Sequence, residues 1–223
     1  MKTKLILLVA ALLGLSNNVA SGEDSAITGG MGTKFSSDYD RRGQLVSQEA
    51  IQAQVDLSVD LAGVNVFGEF FTNQSTNSSG SDNIELNVGI GKSLFEDKIN
   101  AYLGVYNTDN SSSGDTVEAF ISIGANTALS PKVSAYRDND TELYTFEGQL
   151  SQELDLKFFA LEIAGTLGNT ELTASADSTY YSAGVTASKE LKDNVSLYAD
   201  IALSDSDLRS QERIWGVGLD VRF

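Results

Sequence analysis

Glu212-Arg213-Ile214-Trp215-Gly216-Val217-Gly218-Leu219-Asp220-Val221-Arg222-Phe223 is the stretch that decides the fold. From Trp215 onward every second residue is apolar: Trp215, Val217, Leu219, Val221, Phe223. Between them stand Gly216, Gly218, Asp220 and Arg222. A period of two places the sets on opposite faces of a β-strand. The apolar face is continuous and ends on an aromatic ring.

The same period recurs upstream. Glu49 to Leu61 sets Ile51, Ala53, Val55, Leu57, Val59 and Leu61 against Gln52, Gln54, Asp56, Ser58 and Asp60. Further strands are marked by Ile27 to Asp38, Val64 to Asn73, Ile84 to Ile90, Ile99 to Val105, Val117 to Ile123 and Val133 to Arg137. Others follow at Tyr144 to Leu150, Phe159 to Leu167, Tyr181 to Ala187 and Val195 to Leu203. With the last stretch this predicts about twelve strands of roughly ten residues, an even number as single-chain bacterial membrane barrels have. Short connections near 62, 96, 129, 154 and 192 alternate with polar ones near 44, 78, 111, 172 and 207 and a shorter one near 140. The polar set reads as long loops on one rim and the short set as tight turns on the other. Pro131 falls in one of the short connections.

The amino terminus is of another kind. Met1-Lys2-Thr3-Lys4 precedes an apolar run from Leu5 to Leu15 and then Ser16-Asn17-Asn18-Val19-Ala20-Ser21. A basic start, a short apolar core and small residues describe a secretory signal peptide. The expected division is residues 1–21 as signal and 22–223 as barrel. The apolar run is shorter than a spanning helix needs. A mature chain in a membrane must then cross as a closed barrel, which satisfies its own backbone.

Composition removes several classes. Cysteine and histidine are absent, and the net charge is −16. Nucleic acid selects basic surfaces, so no nucleic-acid partner is expected. Hydrolases and acyltransferases that need a histidine base are excluded, and nothing singles out another catalytic set. No cofactor is expected, and no Asp/Asn spacing approaches a calcium loop.

The ending on Phe223 resembles the terminal signature of bacterial outer-membrane β-barrels. That resemblance implies recognition by the barrel-assembly machinery through the last strand and an outer-membrane lipid environment. The first hairpin, with Ser37, Asp38, Tyr39, Arg42 and Gly43 followed by Ala50-Ile51-Gln52, resembles bacterial outer-membrane porins often labelled TorF-like. Ser47 stands later than in that motif, and Phe70 or Phe71 replaces a tryptophan expected in the third strand. The resemblance covers the first two strands and the general plan.

In a membrane barrel the apolar face is outside. About twelve strands enclose a lumen too wide for Val and Ala to fill. Tyr39, Tyr144, Tyr181 and Trp215 at one end, with Phe159 and Phe223 at the other, read as aromatic girdles. Parity then directs Lys34, Asp56, Asp60, Glu69, Glu85, Glu118, Glu147, Glu162, Asp200, Asp220 and Arg222 into the lumen as pore-lining residues. Asp56, Glu69, Glu147, Glu162, Asp200 and Asp220 are expected near one height. A carboxylate ring favours cations, so one reading is a narrow porin passing small hydrophilic solutes or cations. The other is a structural or adhesive barrel, plugged because the carboxylates pair with Lys34, Arg41, Arg42 and Arg222.

Overall fold

The computed structural model describes residues 27–77, 80–112 and 114–223. The signal segment, residues 1–21, lies outside the described residues. Twelve strands follow in order: β1 (Ile27–Arg41), β2 (Gln44–Leu61), β3 (Val64–Ser75), β4 (Asn83–Leu94), β5 (Ile99–Asn110), β6 (Gly114–Ala125), β7 (Lys132–Asp138), β8 (Tyr144–Leu156), β9 (Phe159–Thr173), β10 (Ala176–Lys192), β11 (Val195–Ser206) and β12 (Arg209–Arg222). Each pairs antiparallel with the next, and β12 pairs with β1 to close the barrel. At the seam Ser36 faces Gly216 and Gly30 faces Arg222. Gly29 and Phe223 exchange both backbone hydrogen bonds, at 2.9 and 3.0 Å, so the end of the final strand sits in the wall.

The barrel is apolar outside and polar inside. Ile51, Leu103, Ile121, Phe146, Leu150, Ile163, Leu167 and Ile201 are all more than 45% exposed, whereas Gln52, Asn73, Asn83, Glu85 and Glu118 are buried. Water would not tolerate so continuous an apolar exterior on a monomer; lipid does. Outward aromatics lie toward both rims. Phe35 and Trp215 touch with centroids 5.7 Å apart, and Tyr144 stacks on Phe146 at 6.2 Å. Phe95, Phe158, Phe159 and Phe223 are exposed at the other end.

The connections depart from the expected asymmetry. Residues 42–43, 174–175 and 207–208 are two-residue turns, and the longest outer connections are 76–82 and 139–143. The polar stretches read as long loops are mostly strand, because β1, β2, β9 and β10 carry their pairing beyond the apolar zone. Above that zone a strand needs no apolar face, so the alternation that reveals strands stops while the ladder continues. The inner turns are 62–63, 95–98, 126–131, 157–158 and 193–194.

Inside, several rings lie over glycine. Phe67 is opposite Gly89, Tyr102 opposite Gly91, Phe120 opposite Gly104, Tyr180 opposite Gly168 and Tyr198 opposite Gly218. A Cβ at Gly104 would stand 2.7 Å from the Phe120 ring, so the absent side chain lets the ring lie across the neighbouring strand. Wide side chains thus thicken the wall without crossing the lumen.

Candidate functional site

The first hairpin leaves the wall. Pairing of β1 with β12 ends at Ser36–Gly216, and pairing of β2 with β3 ends at Ala50–Ser75. Residues 37–49 therefore pair chiefly with one another. Glu49 has φ +51°, and the β1–β2 register shifts by one between Tyr39 and Asp40. A bulge bends its strand, and here the bend points inward. The tip is Arg42-Gly43, both at positive φ (53° and 74°), as a tight two-residue hairpin requires. Asp40 Oδ1 accepts the Gly43 N–H at 2.8 Å and holds the turn. The outer connection follows this hairpin, with the Ser81 N–H donating to the Val46 carbonyl at 3.0 Å.

Inside the barrel the tip meets the interior surfaces of strands across the lumen. On β6, Glu118 accepts from Arg42 Nη1 at 2.6 Å and from Arg41 Nη2 at 3.1 Å. The Arg42 guanidinium lies 4.4 Å from the centre of the Tyr136 ring, and Arg41 lies 5.2 Å from that of Tyr106. Glu85, 3.7 Å from Arg41 Nε, accepts from the hydroxyls of Tyr39 and Tyr106 and from Asn83 Nδ2. On the other side Asp40 accepts from Arg209 at 2.7 Å and from Ser204 at 3.1 Å, while Ser206 Oγ donates to the Gly43 carbonyl at 2.8 Å. Both faces of the hairpin tip are thus covered by barrel wall. Tyr39, expected in the outer girdle, is inside for this reason: past Ser37 its strand no longer belongs to the wall, and wall parity ceases to apply.

The other sequence-expected residues divide by partner. Lys34 Nζ and Asp200 are 2.9 Å apart. Arg222 bridges Asp56 at 3.1 Å and Asp220 at 2.8 Å near the inner rim. Glu147 accepts from Tyr180 at 2.6 Å, and Glu69 accepts from Asn87 at 2.7 Å. Glu162 borders a central cavity of about 390 Å³ with Lys34, Gln52, Gln54, Tyr198 and Asp200. Asp60 is exposed and caps the inner turn through the Gly63 N–H at 2.9 Å, so it serves that turn.

The carboxylates do not lie at one height. The hydrogen-bonded row Arg222, Gly30, Asp56, Glu69, Asn87, Tyr106, Glu118, Asp138 runs from the end of β12 to the outer end of β7. Strand tilt makes such a row climb the barrel. Asp56 and Asp220 end low beside Arg222, and Glu85, Glu118 and Glu147 end high around the hairpin tip.

The tip separates two spaces. Toward the outer rim is a cavity of about 280 Å³ bordered by Arg41, Arg42, Glu118, Asp138 and Glu171. Toward the inner rim is one of about 540 Å³ bordered by Asp56, Glu69, Tyr102, Phe120, Lys132 and Tyr136. Parity had already assigned Glu85 and Glu118 inward. It missed Asp40, Arg209, Ser204 and Tyr180 as hairpin partners. The signal in the sequence is Asp40-Arg41-Arg42-Gly43, a two-residue turn with adjacent arginines inside a polar stretch that reads as a long loop.

A closed antiparallel barrel of twelve strands, apolar outside and polar inside, has the fold of outer-membrane β-barrels. Solved structures agree in fold. A KdgM porin superposes with TM-score 0.57 at 15% identity, over 88% of this chain and 99% of that one. The COG4313 outer membrane channel from Pseudomonas putida F1 gives 0.55 at 13%, over 89% and 96%. A NanC porin gives 0.54 at 10%, over 89% and 100%. No family model matches the chain, and no curated protein matches it in sequence.

Proposed function

We propose that this chain is a narrow outer-membrane channel for small hydrophilic solutes with a preference for cations. The supporting observation is the interior charge. Lys34, Arg41, Arg42, Arg209 and Arg222 each lie within ion-pair distance of a carboxylate, whereas Glu69 and Glu162 have no basic partner among the described residues. One further base, Lys132, borders the inner cavity. Fixed negative charge in a confined pore attracts cations, screened over about 8 Å at physiological salt. The likeness to a KdgM porin solved in complex with disordered oligogalacturonate supports passage of hydrophilic solutes as a class. The charge surplus here argues against an anionic one.

The test is reversal potential in a planar bilayer under a salt gradient. Glu69→Gln combined with Glu162→Gln should reduce cation preference, most clearly in dilute salt, without changing the fold. Asp56 is unsuitable for this test because its loss would also break its ion pair with Arg222. An unchanged reversal potential would sink the selectivity claim.

One observation favours a second reading. The hairpin tip occupies the outer lumen and is held by ion pairs, as a plugged, structural or adhesive barrel would require. Absence of conductance in both the unmodified protein and a variant freed of those pairs would establish it.

The first-hairpin residues Ser37, Asp38, Tyr39, Arg42 and Gly43 support placing the chain with TorF-like porins. Residues 1–21 serve as export signal in this reading, and the strand ending in Phe223 engages the assembly machinery. Deleting Phe223 should cut outer-membrane levels far more than synthesis; equal levels would contradict this role.

A further inference from the structure

We infer that the wall formed by Glu85, Tyr106, Glu118 and Tyr136 is a guanidinium-binding site, occupied in this structure by the protein's own Arg41 and Arg42, and that guanidinium-bearing solutes open the channel by displacing them. This rests on the channel reading above.

The site has the parts that chemistry demands. A guanidinium is planar, always charged and weakly hydrated, so it favours a carboxylate in its plane and an aromatic ring against its face. Glu118 supplies the carboxylate to both arginines, at 2.6 and 3.1 Å, and Tyr136 and Tyr106 supply the rings at 4.4 and 5.2 Å. Glu85 adds a second carboxylate, fixed by two tyrosine hydroxyls and one amide. The Glu118 side chain is only 8% exposed and Arg42 14%. Neither charge is left for water to screen, and each needs the other or a substitute.

The occupant is tethered through a hairpin that has left the wall. Past Ser36 the hairpin leaves the β12 ladder, staying joined to that strand through the Trp215 N–H on Ser37 Oγ and the Arg209–Asp40 pair, and the bulge after Tyr39 and the positive φ of Glu49 mark the bend. A tethered ligand competes at an effective concentration on the order of millimolar. Free guanidinium at tens of millimolar therefore competes on comparable terms. An ammonium of equal charge offers no flat face to the rings and competes less well.

Methylguanidinium chloride is the probe, with methylammonium chloride and KCl at equal concentration as controls. At 50 mM (about fifty times a millimolar tether) it should raise the conductance of the unmodified protein at least threefold over either control. R41Q/R42Q should start at the higher conductance, and there the probe should lower it by at least half, because it enters the vacated site. That reversal of sign separates displacement from simple block. Ligand-observed saturation-transfer NMR in micelles tests the site independently of conductance. R41Q/R42Q should bind methylguanidinium, and adding Glu118→Gln, or Glu85→Gln as a second variant, should weaken binding at least fivefold. Each barrel is first checked for heat-modifiable migration. No binding to R41Q/R42Q, binding indifferent to both glutamates, or equal responses to probe and controls overturns the inference. Binding without any conductance in either protein leaves the site standing and overturns the channel reading and the opening role. Cation-selective conductance without binding does the opposite.

Discussion

Strand β2 is flanked by two hairpins with the same local design. At its outer end Asp40-Arg41-Arg42-Gly43 makes a two-residue turn with Arg42 and Gly43 at φ 53° and 74°. At its inner end Asp60-Leu61-Ala62-Gly63 makes the same turn, with Ala62 and Gly63 at 56° and 79°. In both, the aspartate accepts the glycine N–H, at 2.8 and 2.9 Å. The first lies inside the barrel, ringed by side chains from β4, β6, β7, β10 and β11. The second stands in solvent, and a Cβ on Gly63 would meet nothing within 4 Å. Identical turn chemistry thus fixes the turn and says nothing of where it sits. The difference lies in the two residues before the glycine. Paired guanidinium groups find carboxylates and rings in the interior; Leu61 and Ala62 find none.

The aspartates should separate the two most. Asp40→Ala leaves Arg209 half of a broken buried pair, for a loss of about 3 kcal/mol. Asp60→Ala removes one exposed hydrogen bond, for about 0.5–1 kcal/mol. Urea unfolding in lipid, followed by Trp215 fluorescence, measures both, and equal losses would mean that the outer hairpin is solvated. Between the hairpins, Val55→Arg should cost about 2–4 kcal/mol, as a charge on a lipid-facing strand centre does. Its inward neighbour in Gln54→Arg should cost less, and a reversed order would invert the barrel.

The glycines sharpen the contrast. Each substitution by alanine meets the left-handed penalty of about 1 kcal/mol. Gly63→Ala should cost little more. Gly43→Ala also drives a methyl to within 2.6 Å of the Cβ atoms of Ser206 and Tyr180, adding about 1–3 kcal/mol of overpacking unless the tip withdraws. Withdrawal would appear as raised conductance. The smallest change in conductance is expected from Arg42→Asn, which keeps a residue suited to the turn. Arg41 retains Glu118, so conductance should rise partway toward R41Q/R42Q. Unchanged conductance would mean that Arg42 does not obstruct the lumen.

The sequence by itself determined the barrel. A period of two is a property of single strands, and one apolar face per strand suffices to state what lies outside; Ile51, Val55, Ile163 and Trp215 were legible on that ground. It also determined which wall carboxylates face inward, since Glu69, Glu118 and Asp200 follow from their outward neighbours. It did not determine their heights, because tilt spreads one hydrogen-bonded row from Arg222 to Asp138 across the barrel. Nor did it determine the course of the first hairpin. Tyr39 and Arg42 obey no wall parity, and their partners Glu85, Glu118 and Tyr136 lie 46, 76 and 94 residues away in the chain. Only closure of the barrel brings those strands opposite β1, and burial of two guanidinium groups against their carboxylates and rings then favours the inward course.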